Sequence, residues 1–140
     1  MENKNWNKIF ENFLQKDLIV SFDFDGTLTA EGPDDYCQDR AIDNGLSLKN
    51  YRLFQNHKAK GNKVIIVTAR YDNEENREDV KDFCEHFGLE PEAVYFTSRE
   101  WKVEKLLELG VFIHYDNDEY EIDMIRKYGL GLVQGVLVTI

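Results

Sequence analysis

Five short apolar runs, alternating with segments of helical periodicity, constrain this chain more than anything else in it. Within Lys63–Thr68 the stretch Val64-Ile65-Ile66-Val67 is apolar at every position. A strand carries such a run when both its faces are covered, as in a parallel sheet with helices on either side. The other strand-like runs are Asp17–Asp23, Val94–Thr97, Val111–Tyr115 and Leu132–Thr139. Helical spacing and end signals predict helices from Ser47 as cap to Lys60, from Asn76 to Phe87, from Ser98 as cap through Arg99 to Leu109, and from Asp118 to Tyr128. Gly61, Gly88, Gly110 and Gly129 close them. A short opening helix is expected over residues 5–15, where Trp6, Ile9, Phe10, Phe13 and Leu14 recur at helical spacing. Turns and a short hairpin are expected over 26–45, around Gly26, Gly32, Pro33 and Gly45. Strands alternating with helices imply right-handed crossovers. With no linker or repeat in 140 residues, the expectation is one α/β domain over 1–140, a mainly parallel five-stranded sheet flanked by helices.

Seventeen basic against twenty-seven acidic residues leave a net charge of −10. That balance opposes broad binding to a nucleic-acid backbone, which needs many Lys and Arg on phosphates. It leaves room for a small site that handles one phosphate through a metal ion. No apolar run approaches the roughly 20 residues of a membrane helix, and the start Met1-Glu2-Asn3-Lys4-Asn5-Trp6 lacks a signal peptide's apolar segment. A cytoplasmic location and no membrane partner are expected. Cys37 and Cys84 make neither a disulfide framework nor a zinc spacing; Cys84, in step with Val80, Phe83 and Phe87, reads as core.

In such sheets ligands bind beyond the carboxyl ends of the strands, near the switch in strand order. Those ends hold Asp23, Asp25, Thr68, Asp116, Asn117 and Asp118. Gathered at one mouth, the carboxylates repel one another unless a cation sits among them, and an oxygen-rich set suits Mg²⁺. In Phe22-Asp23-Phe24-Asp25-Gly26-Thr27-Leu28-Thr29, Asp23 and Asp25 share a face of an extended chain while Phe22 and Phe24 face apolar packing. Gly26 permits a sharp turn and leaves N–H groups open to an oxyanion. The pattern offers a carboxylate nucleophile and a second carboxyl for proton transfer.

Asp23-Phe24-Asp25-Gly26-Thr27-Leu28 resembles the first motif of the haloacid dehalogenase-like hydrolase superfamily, most of whose members are phosphatases. Val64-Ile65-Ile66-Val67-Thr68 resembles its second motif. Lys102, followed by Leu106, Leu107 and Gly110, resembles its lysine motif, and His114-Tyr115-Asp116-Asn117-Asp118 its terminal acidic motif. The resemblance spans about residues 18–125 and implies a Rossmann-like, capless phosphatase domain. It implies that Asp23 attacks phosphorus and becomes an aspartyl phosphate, and that Asp25 protonates the leaving oxygen and then activates water. Mg²⁺ would be held by Asp23, the Asp25 carbonyl and Asp116. Thr68 and Lys102 would bind phosphoryl oxygens, with Gly26, Thr27, Ala69 and Arg70 as further phosphate or substrate contacts.

The run Asp116-Asn117-Asp118 departs from the adjacent aspartates of many members, so the second acidic role falls to Asn117 or Asp118. Lys105 is the alternative to Lys102, whose distance to Gly110 fits the pattern better. Asp118 and Glu119 also suit a helix N-terminus. For Arg70, a substrate contact and a surface salt bridge are equally open, and His57, His86 and His114 are assigned to surface or packing. Residues 29–62 and 71–96 are too few for a separate cap. By the resemblance, an open, capless site implies a large substrate or a partner that completes the pocket. The substrate expected is a phosphorylated one, small or macromolecular, a nucleotide or nucleic-acid end among them. A non-catalytic metal- and phosphate-binding module and a phosphotransferase or mutase are the alternatives.

Overall fold

The computed structural model describes residues 6–7, 9, 18–32 and 40–140. Its five strands are β1 (Ile19–Phe22), β2 (Lys63–Thr68), β3 (Val94–Phe96), β4 (Val111–Asp116) and β5 (Gln134–Leu137). All pair in parallel in the order β3-β2-β1-β4-β5. Helices α1 (Leu48–Ala59), α2 (Glu74–Phe87), α3 (Lys102–Leu109) and α4 (Glu119–Tyr128) make the crossovers. The chain winds outward from β1 to β3, then returns to the far side of β1 for β4 and β5. The switch in strand order therefore lies between β1 and β4, where an α/β sheet opens a crevice at its carboxyl edge.

The continuous apolar run of β2 divides between two cores because successive side chains point to opposite faces. Val64 and Ile66 pack with Val20, Phe22, Phe54, Val80 and Phe83 beneath α1 and α2. Ile65 and Val67 pack with Val103, Leu106, Leu107, Ile122 and Ile125 beneath α3 and α4. Each fully buried side chain of this size stabilises by roughly 1.5–3 kcal/mol relative to exposure. Phe22, fully buried, stacks on Tyr115 at 4.8 Å between ring centroids and meets Phe54 at 5.3 Å. That cluster ties β1 to β4 directly below the crevice.

Several element ends differ from expectation, each for a local reason. Helix α2 begins two residues early because Asn73 caps it, accepting the Asn76 N–H at 2.8 Å. Helix α3 begins at Lys102 rather than Arg99, since Ser98 and Arg99 take left-handed φ values of 51° and 70°. Ser98 is thus no helix cap; its Oγ accepts the Asp72 N–H. The hairpin expected over 26–45 is, among the described residues, one antiparallel bridge, Thr29 to Leu46, beside a 3-10 turn at Ala41–Asn44. Strand β5 is shorter than Leu132–Thr139. Of the opening helix, Trp6, Asn7 and Ile9 are helical and Ile9 joins the second core. The rest of it, with Pro33 and Cys37, lies outside the described residues. Cys84 is buried in the first core, and burial pushes its thiol up to about 12. Among the described residues no helix is long and apolar enough to cross a membrane.

Replacing Phe22 by Ala is expected to lower the unfolding free energy by about 3–5 kcal/mol in urea titrations. Phe112→Ala, on an exposed ring, should cost less than about 1 kcal/mol.

Candidate active site

The crevice between β1 and β4 holds the buried ammonium of Lys102. It lies 2.7 Å from Asp23 Oδ1 and 2.7 Å from Asp116 Oδ2. Asp23 sits one residue past β1 and Asp116 ends β4, so neighbouring strands deliver the two carboxylates. Lys102 arrives from the first turn of α3, where the bend at Ser98 and Arg99 sets the helix start. Lys105, one turn on, is part-exposed and pairs with Glu108 at 3.3 Å. The structure therefore brings Lys102, not Lys105, to the carboxylates.

A third buried acid completes the cluster. Glu121 Oε1 accepts the Lys102 backbone N–H at 3.4 Å, and Oε2 lies 3.9 Å from Nζ with no hydrogen-bond partner. Burial raises the Glu121 carboxyl to about 7 against the pull of Lys102, with Asp116 adding to the rise. Burial also raises Asp23, Lys102 opposing and Asp116 reinforcing. Asp116 moves the other way: burial is outweighed by the hydrogen bond from His114 and the charge of Lys102. Lys102, although buried, is held protonated by Asp23 and Asp116. One ammonium cannot neutralise three ionised carboxylates, so Asp23 and Glu121 hold their protons to higher pH than free acids do.

Asp23 and Asp116 are also oriented. Thr27 Oγ1 donates to Asp23 Oδ2 at 3.0 Å, and the Asp118 N–H donates to Asp116 Oδ1 at 3.0 Å. His114 Nε2 donates to Asp116 Oδ2 at 2.8 Å, while its Nδ1 lies 2.6 Å from Ser21 Oγ. Ser21 and His114 are partners in the β1–β4 register, so strand pairing itself builds this relay. His114 is fully buried and its imidazole is pushed down by burial. It is therefore neither a surface residue nor mere packing. The sequence signal was period two: His114 and Asp116 share a face of β4, and Ser21 shares that face of β1 with Asp23.

Asp25 lies on the same lining as Asp23 and is held by Arg70. The guanidinium forks onto it, Nε to Oδ2 and Nη2 to Oδ1, both at 2.8 Å. Arg70 Nη1 reaches Asp79 Oδ2 at 2.8 Å, and the guanidinium lies 5.1 Å from the Phe24 ring centroid. With 15% of its side chain exposed, Arg70 is a part-buried clamp on Asp25 rather than a surface salt bridge or a free substrate contact. Asp79, which sequence reading missed, anchors that clamp to α2.

Thr68, buried at the end of β2, accepts the Arg70 N–H, which leaves its O–H as a donor. Ala69 lines the same cleft. Gly26 and Thr27 depart from the open oxyanion turn expected of them. The Gly26 N–H goes to Thr29 Oγ1 at 2.8 Å and the Thr27 N–H to Phe24 O at 3.2 Å. Gly26 has φ 76°, and a Cβ there would collide with the Asn117 amide, so its lack of a side chain admits Asn117. Asn117 Oδ1 lies 3.5 Å from Thr27 Oγ1. Asp118 is the α4 cap, accepting the Tyr120 N–H at 2.9 Å.

Among the described residues no three His, Cys, Asp or Glu side chains converge as a ready metal cage. Mg²⁺ asks for less, since one or two carboxylates with waters commonly suffice. The donor set here is all hard oxygen, with an orphaned Glu121 oxygen, and that chemistry fits Mg²⁺. The cleft encloses about 1100 Å³.

No protein-family model and no curated protein matches the chain. Solved structures do. One is a chain in the structure of the Pnkp1/Rnl/Hen1 complex, with a TM-score of 0.72 and 21% identity. Another is a chain in the structure of the Pnkp1/Rnl/Hen1 RNA repair complex, at 0.69 and 20%. The likeness is one of fold. The two alignments cover 89% and 87% of this chain but 47% and 42% of those, so the chain spans less than half the length of either.

Two outcomes follow from the charge balance. Lys102→Met is expected to destabilise by about 3–5 kcal/mol, because buried carboxylates lose their counter-ion, and Lys105→Met by less than about 1 kcal/mol. Urea unfolding separates them. Folded Glu121 keeps its proton to about pH 7, whereas the unfolded chain releases it near 4.5. The folded state binds more protons in that window, so stability falls as pH rises through it. Glu121→Gln should flatten the fall and exceed wild type at pH 8 by about 1–3 kcal/mol without divalent metal; parallel curves would refute the assignment.

Proposed function

We propose that this domain hydrolyses a phosphate monoester in a Mg²⁺-dependent reaction through an aspartyl phosphate on Asp23. The observation that carries the reading is Lys102 between Asp23 and Asp116 at the switch point, inside a cluster with more carboxylate than cation. An anionic substrate approaches an anionic nucleophile only where positive charge offsets both. Asp23, the Asp25 backbone carbonyl, Asp116 and Asn117 would hold the ion. When bound, Mg²⁺ would supply charge that draws the phosphoryl group in and offsets its oxygens.

The chain's own groups divide the remaining work. Asp23 forms its bond to phosphorus as the ester bond breaks, and Thr27 fixes the oxygen that does not attack. Asp25, in the protonated form it takes once released from one arm of Arg70, delivers that proton to the leaving oxygen, then takes one from the water that releases phosphate and regenerates Asp23. Both Asp25 oxygens are engaged by Arg70, so one arm of the fork must open for this exchange. Thr68 O–H and Lys102 donate to phosphoryl oxygens. The open cleft suits a bulky phosphate ester, and the shared fold with chains of an RNA repair complex supports a nucleic-acid end among its substrates.

Wild type is expected to release phosphate from an aryl phosphate with Mg²⁺ and to stop with chelator. Asp23→Asn should lose at least 10³-fold in kcat with unchanged circular dichroism. Retained turnover in Asp23→Asn would remove the covalent step. A phosphoryl group found on an added alcohol rather than as free phosphate would turn the reading into phosphoryl transfer.

A further inference from the structure

Part of the rim of the cleft is built from residues that the phosphoryl chemistry does not use. Tyr71 and Trp101 line the cleft and are 56% and 50% exposed. Arg99 also lines it, its guanidinium 5.9 Å from the Tyr71 ring centroid. Two half-exposed rings in the cleft that holds the carboxylate cluster offer apolar surface to whatever enters it.

The backbone beneath them is held in place. Ser98 and Arg99 are consecutive left-handed residues, and neither is glycine. That conformation persists only where its surroundings over-determine it. Four hydrogen bonds do so: Thr97 N–H to Thr68 O, Ser98 N–H to Arg70 O, Arg99 N–H to Ala69 O, and Asp72 N–H to Ser98 Oγ, at 2.8–3.1 Å. The loop carrying Arg99 and Trp101 is thereby sewn to the loop carrying Thr68, Arg70 and Tyr71. The rings and the phosphoryl site form one rigid unit.

Charge selects the direction in which a substrate leaves the site. The cleft is lined by ten carboxylates against four cations. Arg40 pairs with Asp82, Arg70 with Asp25 and Asp79, and Lys102 with Asp23 and Asp116. Among the described residues, Arg99 makes no ion pair. Glu75 and Glu78 of α2 add negative charge to one wall and Glu100 adds one beside Arg99, so Arg99 is the lining cation left to meet an anionic chain.

We propose that Tyr71, Arg99 and Trp101 form a leaving-group subsite for the terminal nucleotide of a single-stranded nucleic acid. Its base stacks on the aromatic rings and its phosphodiester pairs with Arg99. Stacking on aromatic side chains is sequence-tolerant and is the common device for holding single strands. A phosphodiester one nucleotide away supplies the second anion that an unpaired arginine would meet. The subsite rests on the phosphatase reading for its orientation, and two separate readouts keep the two ideas apart.

In the first, kcat/KM is measured for a dinucleotide bearing a terminal phosphate monoester and for glycerol phosphate. The ratio should favour the dinucleotide, fall about tenfold or more in Trp101→Ala, as loss of one stacked base implies, and recover in Trp101→Phe. Arg99→Ala should raise the dinucleotide KM and flatten its salt dependence. In the second, Asp23→Asn protein is titrated with an unphosphorylated dinucleoside containing one phosphodiester, and tryptophan fluorescence is read. Saturable quenching, lost when Trp101→Ala is added, is the expected result. Phosphate release with a ratio and a quench both indifferent to Trp101 overturns the subsite and spares the phosphatase. A Trp101-dependent quench with no release from any ester does the reverse. A phosphotyrosine peptide turned over with the same Trp101 dependence would give the rim to a tyrosine ring and overturn the nucleotide assignment.

Discussion

A single buried ammonium organises the carboxyl end of this sheet. Without Lys102, Asp23 and Asp116 would face each other as uncompensated charges at the junction of β1 and β4, the costliest place in the sheet to leave charge unpaired. With it, both strands can end in carboxylates and still pair in register. The ammonium does not finish the balance, since Glu121 adds a third acid at 3.9 Å. That incompleteness sets the cluster apart from a simple salt bridge, since it leaves more hard oxygen donors than one fixed cation satisfies.

The polar groups around Asp23 and Asp116 act by restricting these two acids rather than by adding charge. Thr27 fixes one oxygen of Asp23, and Asp118 N–H and His114 fix both oxygens of Asp116. Arg70 does the same for Asp25 from another direction, anchored through Asp79 on α2. Preorganised groups of this kind need little rearrangement when charge develops on a substrate. The apolar stack of Phe22, Tyr115 and Phe54 lies just beneath, so the polar layer rests on a close-packed floor.

Much of the fold was legible because it depends on local period. The apolar run of β2 announced a doubly covered strand, and Ser47, Gly61, Gly88 and Gly110 marked helix ends close to those observed. Local reading failed where tertiary contacts hold the backbone. At Ser98 and Arg99, helix-compatible residues take left-handed angles because four hydrogen bonds to the neighbouring loop hold them there. Gly26 was expected to offer its N–H to a ligand, but Thr29, three residues on, takes it.

The sequence by itself determined a parallel α/β sheet and placed acids at its strand ends, because alternation and strand termini are properties of consecutive residues. It also narrowed the lysine to Lys102 or Lys105. Only the tertiary structure chose between them, turned Arg70 into a clamp on Asp25, joined Ser21 to Asp116 through His114, and brought Glu121 in beneath Lys102. Each of these is a contact between segments that the order of strands makes neighbours. Strand order follows from how whole faces pack, which no local spacing encodes.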